Sequence, residues 1–135
     1  MRPLLTLGFF LATAAVAAAA PSPRPARAPA TLHADVAEWS VVPSAGVVAH
    51  GSLRIVVRNL GEVAHQLSLV RTSSFDPLFA LSGSRAAIRP LATTRMLEPG
   101  ETTSLTVSVR PGSYELVDNL PWHYWLGTSA AFSVR

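Results

Sequence analysis

From Leu32 to Arg135 the chain reads as short strand-like runs separated by turn signals at Pro, Gly and Asn, and within the runs apolar side chains tend to alternate. SLRIVVR at 52–58 is rich in β-branched residues and stops at Asn59-Leu60-Gly61, and TTSLTVSV at 102–109 alternates up to Arg110-Pro111-Gly112. Side chains repeating every two residues suit strands with one buried face, and β-branched residues fit the pleat. Further strands are expected at Val36–Val42, Ala64–Arg71, Tyr114–Val117 and Ala130–Val134, with Trp39 in the core of the first. Six or seven short strands separated by turns predict an all-β domain, an antiparallel Greek-key sandwich or barrel. Regularity lapses between Ser73 and Pro99, where a short helix is expected near Asp76–Leu81, with Phe75, Leu78, Phe79 and Leu81 as its apolar face. An excursion of that length inside a β domain is usually functional or an elaborated connection.

The first twenty residues, MRPLLTLGFFLATAAVAAAA, have one early arginine, an apolar run and a tail of small residues. That layout predicts a secretory signal peptide over 1–20, cut near Ala18 to Ala20. Its strongly apolar part, about fifteen residues, falls short of the roughly twenty a spanning helix needs, although an uncleaved signal would keep the chain attached. Residues 21–31, rich in Pro and Ala, read as an extended linker, which leaves 32–135 as one domain able to hold a modest core. The chain is expected to be exported, to a bacterial periplasm or cell surface, with no membrane span in its mature form. The whole chain carries a formal charge of +3, but from Leu32 onward eight arginines balance eight acidic residues. No basic stripe of the kind nucleic acid requires is left in the domain. The chain has no cysteine, so disulfides, thiolate metal sites and lipid anchoring through cysteine are excluded.

Two segments carry more than fold. In NLGEVAH a tight turn at Asn59–Gly61 precedes His65; in the closing PGSYELVDNLPWHYWLGTSAAFSVR, Asp118, His123 and Thr128 follow one another with four residues in each gap. A histidine anchored by a turn and a loop with side chains at i, i+5 and i+10 can converge at one end of a sandwich. His33 and His50 lie outside both segments and read as surface histidines.

The domain resembles the cupredoxins, the blue-copper fold of plastocyanin and azurin. Their first ligand histidine follows an N-x-G turn, and the others come from wording like PGxYxxxCNxPGHYxxGMxxxFxV. Pro111, Gly112, Tyr114, Asn119, Pro121, His123, Tyr124, Gly127, Phe132 and Val134 match it in register. The resemblance maps His65 and His123 onto the two histidine ligands. It also puts Asp118 where the family has its copper-binding cysteine, Thr128 where it has its axial methionine, and Trp122 where it has a glycine. A blue site needs a thiolate beside two imidazoles, so electron transfer of the plastocyanin kind is not expected. What remains, two imidazoles and a carboxylate, suits non-blue Cu(II), with Zn(II) as the alternative. Thr128 is a weak fourth ligand. This implies metal carriage or sequestration rather than catalysis, since no separate general base stands out. An alternative keeps the fold without metal: Asp118 would accept hydrogen bonds from loop amides or His123, and Trp122, Tyr124 and Trp125 would form a patch for a protein partner at the periplasm or cell surface. A small metal-dependent enzyme is the weakest alternative.

Overall fold

A computed structural model describes Ala20 and residues 26–135; most of the expected signal peptide and linker lie outside the described residues. Among the described residues there are eleven strands: β1 Ala30–Ala37, β2 Ser40–Pro43, β3 Val47–Val48, β4 Gly51–Asn59, β5 Leu67–Thr72, β6 Leu81–Ser82, β7 Arg85–Ala86, β8 Ala92–Thr93, β9 Thr102–Val109, β10 Gly112–Asp118 and β11 Ser129–Val134. They form one sheet in the order β2-β1-β4-β9, a second in the order β3-β11-β10-β5-β8, and the small hairpin β6-β7. The result is the expected all-β Greek-key sandwich, but its sheets are mixed. β1 pairs with β4 in parallel, as does β3 with β11, while the remaining pairs are antiparallel. Among the described residues no helix is long and apolar enough to cross a membrane.

The two-residue alternation determines the core. Leu32, Ala34 and Val36 of β1 and Leu53, Ile55 and Val57 of β4 face Leu67 and Leu69 of β5, Tyr114 and Leu116 of β10, and Phe132 and Val134 of β11. Tyr114 and Phe132, opposite one another in the β10–β11 register, stack with ring centroids 5.8 Å apart. Side chains of that size contribute much of the buried apolar area.

Three expectations need correction. The first strand stops at Ala37, and the chain turns through Glu38-Trp39 before returning as β2. Trp39 holds a left-handed φ of 61° at the tip of this hairpin and is 46% exposed, so it is not a core residue. No helix forms at Asp76–Leu81. Asp76 takes a left-handed φ of 51°, and Leu81 pairs across a hairpin with Ala86. The segment before Gly83 is too short for a helix to offset its nucleation cost. Nor do its apolar residues share one buried face. Phe75, Leu78 and Leu81 are exposed, and only Phe79 packs inward.

That inward packing explains why β5 and β10 do not alternate between buried and exposed. Phe79, Ala86, Ile88 and Tyr124 cover Val70 and Val117 on the outer face of the second sheet, so both faces of these strands are buried. The excursion is a cover, and the loop after β10 is tied to it. Asn119 Nδ2 donates to the Ala86 carbonyl at 3.1 Å while its Oδ1 accepts from the Ala86 amide at 2.7 Å. The Trp122 amide donates to the Ser84 carbonyl at 2.7 Å.

Candidate metal centre

Three parts of the fold meet at one end of the sandwich. The first is the turn after β4. Buried Asn59 closes it, accepting from the Gly61 amide at 2.8 Å and donating to the carbonyls of Val63 at 2.8 Å and Leu97 at 2.9 Å. His65 then forms an isolated bridge with Leu97, with amide–carbonyl bonds of 3.0 and 2.8 Å in the two directions. Side chain and backbone together fix His65, which is fully buried.

The second part is the end of β10. Asp118 is paired with Leu67, two residues past His65. Alternation that sends Tyr114 and Leu116 into the core sends Asp118 the same way, and it is also fully buried. Its amide donates to the Thr128 carbonyl at 2.9 Å, and its Oδ1 accepts from the Leu120 amide at 3.0 Å.

The third part is the loop 119–128. Trp122 holds a left-handed φ of 68°, the backbone region that favours glycine. It stands where the resemblance has a glycine, so the loop keeps that shape in spite of the substitution. His123 follows, 15% exposed at its side chain.

The side chains converge on one atom. Asp118 Oδ2 lies 2.6 Å from His65 Nδ1 and 2.8 Å from His123 Nδ1, and the two imidazole centroids are 5.1 Å apart. His65, Asp118 and His123 offer ligand atoms that all lie within 4.8 Å of one another. Thr128 is buried beside them with its hydroxyl unpartnered. All four residues singled out in the sequence are therefore brought to this end of the fold, whereas His33 and His50 are on the surface.

The donor set fits a divalent ion in kind: two imidazole nitrogens and one hard oxygen. The nitrogen–oxygen separations are those of hydrogen bonds. Ligand bonds near 2.0–2.2 Å place neighbouring donors of one ion about 3 Å apart in square geometry and about 3.4 Å apart in tetrahedral geometry, so an ion requires the nitrogens and the oxygen to open by several tenths of an ångström. The orphaned Thr128 hydroxyl also points to an uncompensated polar position, since buried polar groups are rarely left without a partner.

Two residues of the site were not found in the sequence. The β1–β2 tip puts the Glu38 carboxylate 3.6 Å from His65 Nε2, and Trp39 edge-on against His123 with centroids 5.6 Å apart. Reading 36–42 as one continuous strand hid both. The aromatic patch is present only in part. Trp122 and Trp125 are exposed, at 54% and 66%, but Tyr124 is half-buried and its hydroxyl accepts from the Phe79 amide at 2.8 Å.

No protein-family model and no curated protein matches the sequence. Solved structures do match the fold. Auracyanin from the photosynthetic bacterium Roseiflexus castenholzii aligns at 21% identity over 78% of this chain and 96% of that one, with a TM-score of 0.57. Auracyanin B aligns at 21% identity over 82% and 92%, TM-score 0.55. Rusticyanin from Thiobacillus ferrooxidans aligns at 18% identity over 78% and 77%, TM-score 0.57. The chain has the cupredoxin fold. It is a divergent example that lacks cysteine altogether.

Proposed function

We propose that this is an exported bacterial protein that holds one non-blue divalent ion at the loop end of its sandwich, for carriage or sequestration. Cu(II) is the first candidate, with Zn(II) second. His65 and His123 would bind through Nδ1 and Asp118 through a carboxylate oxygen, with Thr128 as a weak fourth contact. The observation that carries this reading is the convergence of both Nδ1 atoms on Asp118 Oδ2 at 2.6 and 2.8 Å. Rusticyanin, similar in fold, is described as a copper protein. Here the carboxylate replaces a soft ligand with a hard one, which favours Cu(II) over Cu(I) and gives no blue colour. A bound ion would supply positive charge to a buried carboxylate; the chain's part is to hold two imidazoles and that carboxylate in place. The reading is of a binding site, not a catalytic one.

A second reading has its own support. Asp118 Oδ2 already lies within hydrogen-bond distance of Nδ1 of both imidazoles, which makes a self-contained polar knot without an ion. The fold would then serve protein contacts through the exposed Trp122 and Trp125.

Calorimetric titration with Cu(II) and with Zn(II) separates the two, with the His65→Ala, His123→Ala double variant as control. One-to-one binding lost in the double variant is the expected outcome. Absent binding, or binding unchanged in the double variant, would overturn the metal reading and leave the polar knot.

A further inference from the structure

The tip of the β1–β2 hairpin belongs to the first sheet, yet it reaches the site formed by the second. Glu38 Oε1 accepts from the amides of Glu62 at 2.6 Å and Val63 at 2.9 Å, so the carboxylate is seated in the turn leading to His65. Gly61 makes room for it, because a Cβ there would overlap the Glu38 carboxylate.

The same oxygen lies 3.6 Å from His65 Nε2, a fully buried ring atom with no hydrogen-bond partner. A neutral imidazole carries its proton on one nitrogen only. With the proton on Nδ1, Nε2 would present a lone pair to a carboxylate, which is repulsive. With the proton on Nε2, a carboxylate lies 3.6 Å away and Nδ1 keeps its lone pair for the site. Asp118 Oδ2, 2.6 Å from Nδ1, favours the proton there while no ion is bound; Glu38 favours the other tautomer, the one an ion on Nδ1 requires. Together with Asp118 it also brings two negative charges to the site, enough to neutralise a divalent ion but too many for a monovalent one.

The geometry points to Glu38 as a positioning residue for the metal site, the outer carboxylate of a carboxylate–imidazole–metal relay through His65. This rests on the reading of His65, Asp118 and His123 as ligands. Such outer partners orient the ring and raise its basicity, and losing one typically weakens metal affinity 10- to 100-fold.

The test is calorimetry with Zn(II) on four proteins, together with long-range proton–nitrogen spectra of the histidine rings in the metal-free and Zn(II)-loaded wild type and Glu38→Gln. Glu38→Gln removes the charge at constant size, and Gly61→Ala displaces the carboxylate without changing its chemistry. Glu62→Gln is the control for general electrostatics, being an exposed carboxylate whose residue is hydrogen-bonded to Glu38 through its backbone amide. Both Glu38→Gln and Gly61→Ala are expected to bind at least tenfold more weakly, with Glu62→Gln unchanged, while Glu38→Gln shifts the His65 Nε2 signal. Circular dichroism melts check that each variant folds. Unchanged Zn(II) affinity in folded Glu38→Gln, or an unmoved His65 signal, overturns the role of Glu38 alone. Failure of the wild type to bind Zn(II) or Cu(II) overturns the underlying site and the relay with it.

Discussion

At the scale of single residues, the site depends on backbone conformations as much as on ligands. Gly127 closes the loop 119–128 with a φ of 104°, and a Cβ there would meet the Trp39 carbonyl at 3.3 Å. Gly127→Ala is expected to cost about 1–2 kcal/mol from the left-handed conformation alone. It should also push the loop away from the β1–β2 tip. A lowered denaturant midpoint with an unchanged slope would bear this out, and wild-type stability would refute it. His65, Asp118, His123 and Thr128 were legible in the sequence because a turn signature and a fixed loop spacing bring them together. Glu38 was not. Its role comes from a hairpin tip folding across to the opposite sheet, and no local pattern around Glu38-Trp39 signals that reach. Trp39 was misread for the same reason, since a large apolar residue between Val36 and Val41 looks like core until the chain is seen to reverse there.

At the scale of elements, β10 is the most informative strand. One face supplies Tyr114, Leu116 and finally Asp118; the other carries Glu115 and Val117 beneath the 73–90 cover. Glu115 is almost fully buried and its Oε2 has no partner. Burial raises its pKa, Asp76 pushes in the same direction, and the Ser129 hydroxyl partly offsets them. A carboxyl with a folded pKa above its unfolded one adds stability below the unfolded value and loses that contribution as pH rises through the folded value. Glu115→Gln should therefore be more stable than the wild type at pH 7, on the order of 1 kcal/mol, the usual cost of an unsatisfied buried polar group. The difference should shrink as the pH falls through the raised folded value and be gone below about 4, near the unfolded glutamate value. Urea unfolding of both proteins across that range checks this; parallel curves would show that Glu115 is not the group responsible. The alternation that predicted β4, β9 and β11 within a residue or so could not show this cover. A strand buried on both faces does not alternate, and the covering chain has no periodicity of its own.

At the scale of the whole molecule, the first strand holds one sheet together. β1 lies between β2 and β4, contributing Leu32, Ala34 and Val36 to the core. Removing residues 1–27 is expected to leave the melting transition where it was, because the cut falls before Ala30. Removing everything through Ala34 should abolish cooperative melting. Loss of Leu32 alone is worth about 2–5 kcal/mol, and β4 would become an open edge. A cooperative transition in the shorter fragment would mean that β1 is dispensable. The sandwich as a class was legible from strand-length runs and turn residues, whereas the parallel β1–β4 pairing depends on contacts between distant segments. The placement of Glu38, His65, Asp118 and His123 has a consequence for timing. They come from both sheets and from most of the length of the domain, in a chain with no covalent cross-link. An ion held there would be clasped by segments far apart in sequence, so its residence time is expected to follow the amide exchange at that end of the sandwich.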